Sequence, residues 1–550
     1  MNDKEILKFC IDRGLLLDPE LLKLFSETVD EESAKLIIER IKSHTHNRII
    51  TRELFEKNKE YVSEFFLELP KENREKLERF KIKLGLQIEI SKESSSLIPP
   101  EEKGDNKISF VIPPQDTLTG KNPEATGWGM GNVKITSPLL APAKKVEVGD
   151  YIKGFRNRFF ELKNILQEHS ELENLVSINK LTKGRQSVSV IGMVTSKSVT
   201  KNRNIIFEIE DFTGKIKVLI NQNKPELYKK AEEIALDSVM GFVGSGDRDI
   251  LFINNLVFPD VLLLEKKQSP IEECAVFISD LQFGSRLFMK EQFDKFVDYL
   301  SDKEPVAKEA KKIKYLFIVG DLVSGIGVYP GQMKDLEVMD IEEQYKQITE
   351  TLKRIRKDIM IIISPGNHDG VRLMEPQPTL DEKYAWPLSE LPNVILTGNP
   401  AYVNVGSAGS FSGFDILTYH GFSYPYYANN IPSLIEGGLN TPEKIMAYLL
   451  KNRHLAPSHG SIQYFPSEHD YHVIKNIPDI IVSGHLHKCA VSSYNGVLLI
   501  SNSSWEEETE NQKQRGNEPD FCKVPLFNLK TRAVKILDFE DKEKTRTELK

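Results

Sequence analysis

Cysteine is scarce in this chain and never paired. Cys10, Cys274, Cys489 and Cys522 lie far apart with no C-x-x-C among them, which argues against a disulfide framework and against a cysteine zinc site. No apolar run approaches the roughly eighteen residues of a membrane-spanning helix. The opening residues Met1-Asn2-Asp3-Lys4-Glu5 lack the basic-then-apolar layout of a secretory signal, so an intracellular protein is expected. Positive charge is also in short supply: the net charge is −8 and the pI about 5.9. Such a chain does not coat nucleic acid over its whole surface, and any such contact must be local or supplied by a partner. No internal repeat is visible. What is present is length: 550 residues, 40% hydrophobic and 28% charged, enough for roughly three or four folded units.

Residues 1–90 read as an N-terminal helical domain, with Asp18-Pro19, Asp30 and Thr51 as starts of successive apolar-periodic runs. From Ser91 the composition turns to serine, proline, glycine and charge (Ser94-Ser95-Ser96, Pro99-Pro100, Pro113-Pro114), which cannot bury enough apolar surface to fold. A flexible linker is expected over 91–145, with its clearest stretch at 91–127. Domain 146–265 begins with a helix from Val148 to His169 carrying Tyr151, Phe155, Phe159, Leu162 and Leu166 at helical spacing. Strands follow at Val188–Gly192, Ile206–Ile209 and Ile216–Ile220, the last two joined by the turn Asp211-Phe212-Thr213-Gly214. A helix over Pro225–Leu236 and strands at Val239–Val243 and Ile250–Val257 complete the pattern. Three strands, a helix and two strands in about 90 residues is the layout of an OB-fold barrel. Its aromatic residues Phe207, Phe242 and Phe252 alternate as core residues do, so structural or partner-docking use competes with base stacking.

Domain 266–550 holds the chemistry. Eight of the 11 histidines (368, 420, 454, 459, 469, 472, 485 and 487) fall in one segment of about 120 residues, which directs the search to metal ligands. Five apolar runs each end in a residue able to hold a metal: Ala275–Ile278 before Asp280, Tyr315–Val319 before Gly320-Asp321, and Met360–Ile363 before Gly366-Asn367-His368-Asp369. Ile416-Leu417 precedes His420-Gly421, and Ile480–Val482 precedes Gly484-His485-Leu486-His487. Short apolar runs separated by helix-length segments read as fully buried strands of an α/β domain, and ligands in such sheets gather beyond the carboxyl ends of the strands. One place would then collect Asp280, Asp321, Asn367, His420, His485 and His487. Mixed Asp, Asn and His ligands suit divalent ions, manganese before magnesium or another. A bridging carboxylate, assigned to Asp321, would hold two of them so that water is activated and a phosphate's charge stabilised. His368 beside Asn367 can act on the leaving oxygen.

These motifs resemble the calcineurin-like phosphoesterase superfamily, which includes the double-strand-break repair nucleases. The strings Gly325-Ile326-Gly327-Val328-Tyr329-Pro330-Gly331-Gln332, Glu375-Pro376-Gln377-Pro378, Arg453-His454-Leu455-Ala456-Pro457 and Ser504-Trp505 narrow the resemblance to the small subunits of archaeal family D DNA polymerases. The resemblance implies a multidomain α+β protein, in which Asp280, Asp321 and His487 hold one metal, Asp321, Asn367, His420 and His485 the other, and His368 is catalytic. It implies 3'-to-5' removal of nucleotides as a proofreading exonuclease. Its partners would be a large catalytic subunit, DNA as a single strand or primer 3' end, and a sliding clamp through the holoenzyme. The setting would be the cytoplasm at the nucleoid, with no membrane.

Two positions depart from the family pattern. Gln282 stands where the first motif has His, and Ser324 where the second has Asp. Each is expected to weaken the first metal or to serve behind it, because an amide is a poorer ligand than imidazole and a lost carboxylate lowers the charge that draws the ions. A scaffold with an inactive phosphoesterase domain is therefore the alternative, as in the related accessory subunits of eukaryotic polymerases. Retention of the other ligands speaks against complete decay. A free-standing phosphatase or cyclic-nucleotide phosphodiesterase explains the metal motifs but leaves the barrel without a role. Limited proteolysis is expected to cut first within 91–127 and leave a fragment holding both later domains; early cleavage inside 271–541 would place the boundary elsewhere.

Overall fold

The computed structural model describes residues 131–137, 145–303, 308–509, 512–513 and 517–540, with residues 6, 8–10, 16–18 and 49–50 nearer the amino terminus. Most of the expected helical domain 1–90 and of the linker 91–145 lies outside these residues. Leu16–Leu17 pairs in parallel with Ile49–Ile50, so the all-helical reading of 1–90 fails at that pair. The linker reading is corrected at its carboxyl end. β1 (Val133–Ile135) runs antiparallel to Ala401–Val405, with Ile135 opposite Val403. Two β-branched residues on one side of a short strand are enough to cover a sheet edge that would otherwise leave backbone groups unpaired.

The helix α1 (Val148–Gln167) buries Phe159, Leu162 and Leu166 together with Gly154 and Arg158. The barrel then follows the expected alternation: β2 (Gln186–Val199), β3 (Ile205–Asp211), β4 (Gly214–Ile220), α2 (Pro225–Glu232), β5 (Val239–Gly246) and β6 (Ile250–Val257). The strands close in the order β2-β3-β4-β6-β5, with β4 and β6 parallel and the other pairs antiparallel. Val190, Phe207, Val218, Phe242 and Leu251 fill the interior. The turn after β3 forms because Asp211 Oδ1 accepts from the Thr213 and Gly214 N–H groups at 2.7 and 3.0 Å, a side-chain-made turn. Phe252 corrects the core reading of the aromatics: it is 46% exposed, because Leu251 and Ile253 take the inward positions and a strand alternates.

The remaining strands build two six-stranded sheets. The first contains β7 (Cys274–Ile278), β8 (Ile313–Val319), β9 (Met360–Ser364) and β10 (Val394–Leu396), all parallel. The second contains β11 (Ala401–Val405), β12 (Phe414–Thr418), β13 (Ile480–Ser483), β14 (Ala490–Tyr494) and β15 (Val497–Ser501). Its centre is β12-β13-β15, again parallel, and β1 closes one edge. The first sheet is completed by β16 (Lys523–Asn528) and β17 (Val534–Asp538) beside β7. Alternate residues explain why β8 is buried throughout. Tyr315, Phe317 and Val319 pack with Val403, Phe414, Ile416 and Val482 of the second sheet, while Leu316 and Ile318 face a helical layer. That layer is α3 (Lys290–Tyr299), α4 (Ile341–Leu352) and α5 (Glu382–Ser389). On the far side Leu417, Ile481 and Leu499 pack with α6 (Tyr424–Asn430) and α7 (Pro442–Lys451).

Strands covered on both faces have no polar alternation, which is why they read as continuous apolar runs. The expected α/β domain is thus built on two sheets packed face to face between helices. Among the described residues no helix is long and apolar enough to cross a membrane. Phe317→Ala, which empties a fully buried position between the sheets, is expected to cost about 3–5 kcal/mol, read as a shift in the urea midpoint. A shift below about 1 kcal/mol would contradict the packing of the two sheets.

Candidate metal centre

Each residue named from the sequence stands just beyond the carboxyl end of a strand. Asp280 and Gln282 follow β7, Asp321 and Ser324 follow β8, and Asn367 and His368 follow β9. From the other sheet come His420 after β12 and His485 and His487 after β13. The chain must turn sharply there, and Asp280, Gln282, Asp321, His485 and His487 all have left-handed backbones with φ between 51° and 67°. Non-glycine residues seldom adopt that conformation, and they concentrate where structure holds functional groups in place.

Asp321, His420 and His485 form the compact ligand set, their candidate donor atoms all within 4.8 Å of one another. His420 Nδ1 lies 3.0 Å from the Val319 carbonyl. Taken as the donor there, it leaves Nε2 facing Asn367 Oδ1 at 3.1 Å and Asp321 Oδ2 at 3.3 Å. Two oxygens and a ring nitrogen turned on one point need a cation or a proton between them. Burial alone would lower the His420 pKa, but Asp321 and Asp280 push it up to about 10. The same negative charge that keeps a proton on this ring draws a divalent ion in its place. His485 is held down to about 3 by burial and by neighbouring His420, so its imidazole stays neutral as a ligand must. The residues present therefore fit a metal.

Asp280 and His487 make the adjoining pair, with His487 Nε2 3.4 Å from Asp280 Oδ1. Asp280 also accepts from the His485 N–H at 3.0 Å and from the Ser279 hydroxyl. Gln282 is turned so that its amide nitrogen donates to Asp321 Oδ2 at 3.0 Å. Ser324 is not placed as a ligand: its hydroxyl donates to the Gln282 carbonyl at 2.7 Å. The Ser324 carbonyl in turn faces His368 Nδ1 at 2.9 Å, which leaves His368 Nε2 on the site side, 3.9 Å from Asp321 Oδ2. The His368 backbone N–H donates to Asp321 Oδ1 at 2.8 Å. Burial would raise the Asp321 pKa, but His420, His368 and these hydrogen bonds hold it far below the usual carboxylate range.

Residues 275–489 match the calcineurin-like phosphoesterase family. The DNA polymerase II small subunit of Pyrococcus furiosus is 37% identical over 422 residues, covering 74% of this chain and 67% of that one. That of Methanothermobacter thermautotrophicus is 35% identical over 428 residues, covering 74% of this chain and 86% of its own. The chain belongs to the DNA polymerase II small-subunit family. The P. abyssi small subunit is similar at 35% identity, with 80% of this chain covered and 73% of its own.

The site also contains residues to which the sequence assigned no role. Asp369, last of the Gly-Asn-His-Asp string, accepts from the Gly366, Leu322 and Val323 N–H groups at 2.8, 3.3 and 3.3 Å. It ties the second motif's loop to the third's, and burial with the charge of Asp321 pushes its carboxyl up to about 6. Asn399 accepts from the His420 N–H at 2.9 Å; an isolated Asn before a proline carries no sequence signal for that task. Two glycines are required by close approach. A Cβ at Gly320 would lie 2.1 Å from His420 Nδ1, and one at Gly366 would lie 2.2 Å from Asp321 Oδ1. Gly366→Ala is therefore expected to displace Asp321 and weaken manganese binding by about tenfold or more, measured by calorimetry on the folded variant. Unchanged affinity would separate Asp321 from the metal.

Proposed function

We propose that this chain provides a metal-dependent 3'-to-5' exonuclease to a two-subunit replicative DNA polymerase, trimming a DNA 3' end for proofreading. The observation that carries the reading is the convergence of Asp321 Oδ2, Asn367 Oδ1 and His420 Nε2 in a chain of this family. Divalent ions held by Asp321, Asn367, His420 and His485, and by Asp280, Asp321 and His487, would supply a lowered water pKa and charge neutralisation for the phosphodiester, with manganese suited to the mixed donors. His368, anchored through Nδ1 on the Ser324 carbonyl, presents Nε2 where it can donate to the leaving oxygen. The strand order of the barrel supports an OB-fold, here a docking module or a guide for a single strand. The partners are a large catalytic subunit, DNA and, through the holoenzyme, a sliding clamp; the setting is the cytoplasm at the nucleoid.

One observation favours a second reading, in which the nuclease is impaired and the domain serves chiefly as scaffold. The Gln282 amide donates a hydrogen bond to Asp321 where the family places an imidazole ligand, and Ser324 adds no charge. Losing that imidazole and carboxylate would weaken the first metal by about 10- to 1000-fold. Single-turnover degradation of a labelled single strand across a manganese titration separates the readings. The native chain is expected to be weak or to need high manganese. Gln282→His with Ser324→Asp should raise activity and lower the manganese required, and His368→Ala should abolish what remains. No gain on restoration with metal bound would favour the scaffold. Full activity at low manganese in the native chain would make Gln282 an adequate substitute.

A further inference from the structure

The Glu375-Pro376-Gln377-Pro378 and Arg453-His454-Leu455-Ala456-Pro457 strings contribute none of the proposed ligands, yet they meet in a buried polar path. Arg158, on α1 and 2% exposed, donates through Nε to Asp470 Oδ2 at 2.7 Å and through Nη1 to the Pro457 carbonyl. Asp470 also faces His454 Nε2 at 3.0 Å and accepts from the His472 N–H at 3.1 Å. The His472 ring reaches Glu375 Oε2 at 3.2 Å, and Tyr419 donates its hydroxyl to the same oxygen at 3.0 Å. On its other oxygen Glu375 accepts from Asn399 Nδ2 at 3.1 Å. The path then divides. Asn399 Oδ1 takes the His420 backbone N–H at 2.9 Å. Asn399 Nδ2 also donates to Gln377 Oε1 at 2.8 Å, and Gln377 Nε2 donates to the Gly366 carbonyl at 3.0 Å.

A buried ionic cluster rarely improves stability over apolar packing of the same volume. Apolar packing, however, cannot fix the direction of a backbone N–H, whereas a carboxylate that orients an amide can. Burial would lower the His472 pKa, but its hydrogen bonds to Asp470 and Glu375 raise it above its ordinary value. Resting on the metal reading above, we infer that Glu375 and Asn399 are positioning residues for the metal centre, braced from Arg158 on α1. They set His420 after β12 and Gly366, the neighbour of Asn367, after β9. The two strands belong to different sheets, so the brace spans the seam along which the ligand set could open. Outer hydrogen bonds of this kind orient metal ligands and tune affinity.

The test titrates the full chain with manganese(II), reading free ion by electron paramagnetic resonance and thermal stability in parallel without metal. Glu375→Gln and Asn399→Ala are expected to weaken manganese binding by about 10- to 100-fold, and Arg158→Met to weaken it in the same direction by less. The control is Lys267→Met. Lys267 bridges Asp415 and Asp479 at 3.0 and 2.8 Å, at the opposite ends of β12 and β13, so its loss should lower the melting temperature and leave affinity unchanged. If the Glu375 and Asn399 variants lose stability as Lys267→Met does but bind manganese as the native chain does, the path is structural and the inference falls. If Glu375→Gln does not fold, Gln377→Leu, which removes the bonds to Gly366 and to the Arg372 carbonyl but leaves the Glu375–Asn399–His420 branch, should still weaken binding; native affinity there also overturns the inference. A native chain that binds no manganese would instead overturn the metal reading itself.

Discussion

Asp321 holds a negative charge on a buried side chain, and much of the surrounding structure follows from that. A buried carboxylate is costly unless donors or cations surround it. Here one oxygen takes the His368 N–H, and the other meets the Gln282 amide and the His420 ring. These groups come from three different strand ends, so satisfying one carboxylate draws both sheets to a common rim. The glycines at 320 and 366 exist because that rim is crowded: a methyl group at either would strike His420 or Asp321 itself.

The two-sheet core makes this arrangement rigid. β8 sends Tyr315, Phe317 and Val319 into the seam between sheets and Leu316 and Ile318 under the helices. A one-residue slip would exchange the two sets and rotate Asp321 away from its partners. The parallel strands of both sheets bring loops of unrelated sequence to the same end. Left-handed residues at those loops carry local strain, which is tolerable where packing on both sides fixes the backbone.

Behind the rim lies a second tier of buried polar groups. Asp369 joins two loops through backbone N–H groups, and Glu375 joins two more through Asn399 and Tyr419. The helix α1 enters this tier at Asp470, which Arg158 meets through Nε and whose backbone N–H donates to Asn157 Oδ1 at 2.9 Å. Gln282 and Ser324 have become hydrogen-bonding parts of the same tier: one donates to Asp321 and the other caps the carbonyl of the first.

The barrel and the strand ends were legible in the sequence because burial on one face or both leaves a period that any reader can count: alternation in 188–257, continuous apolar runs at 275–278, 315–319 and 360–363. The candidate ligands could be named because Gly-Asp, Gly-Asn-His-Asp and Gly-His-x-His follow those runs directly. Phe252 shows the limit of counting, since its outward turn depends on which phase of the alternation closes the barrel. So does the short strand at Val133–Ile135, whose pairing partner lies some 270 residues away. The sequence by itself determined which residues could hold a metal and that strands would deliver them. Only the tertiary structure decided that two sheets share the work and that the Gln282 amide points its nitrogen at Asp321. It alone decided that Glu375, Asn399 and Arg158 join the same site, because hydrogen bonds between residues hundreds of positions apart leave no period in the chain.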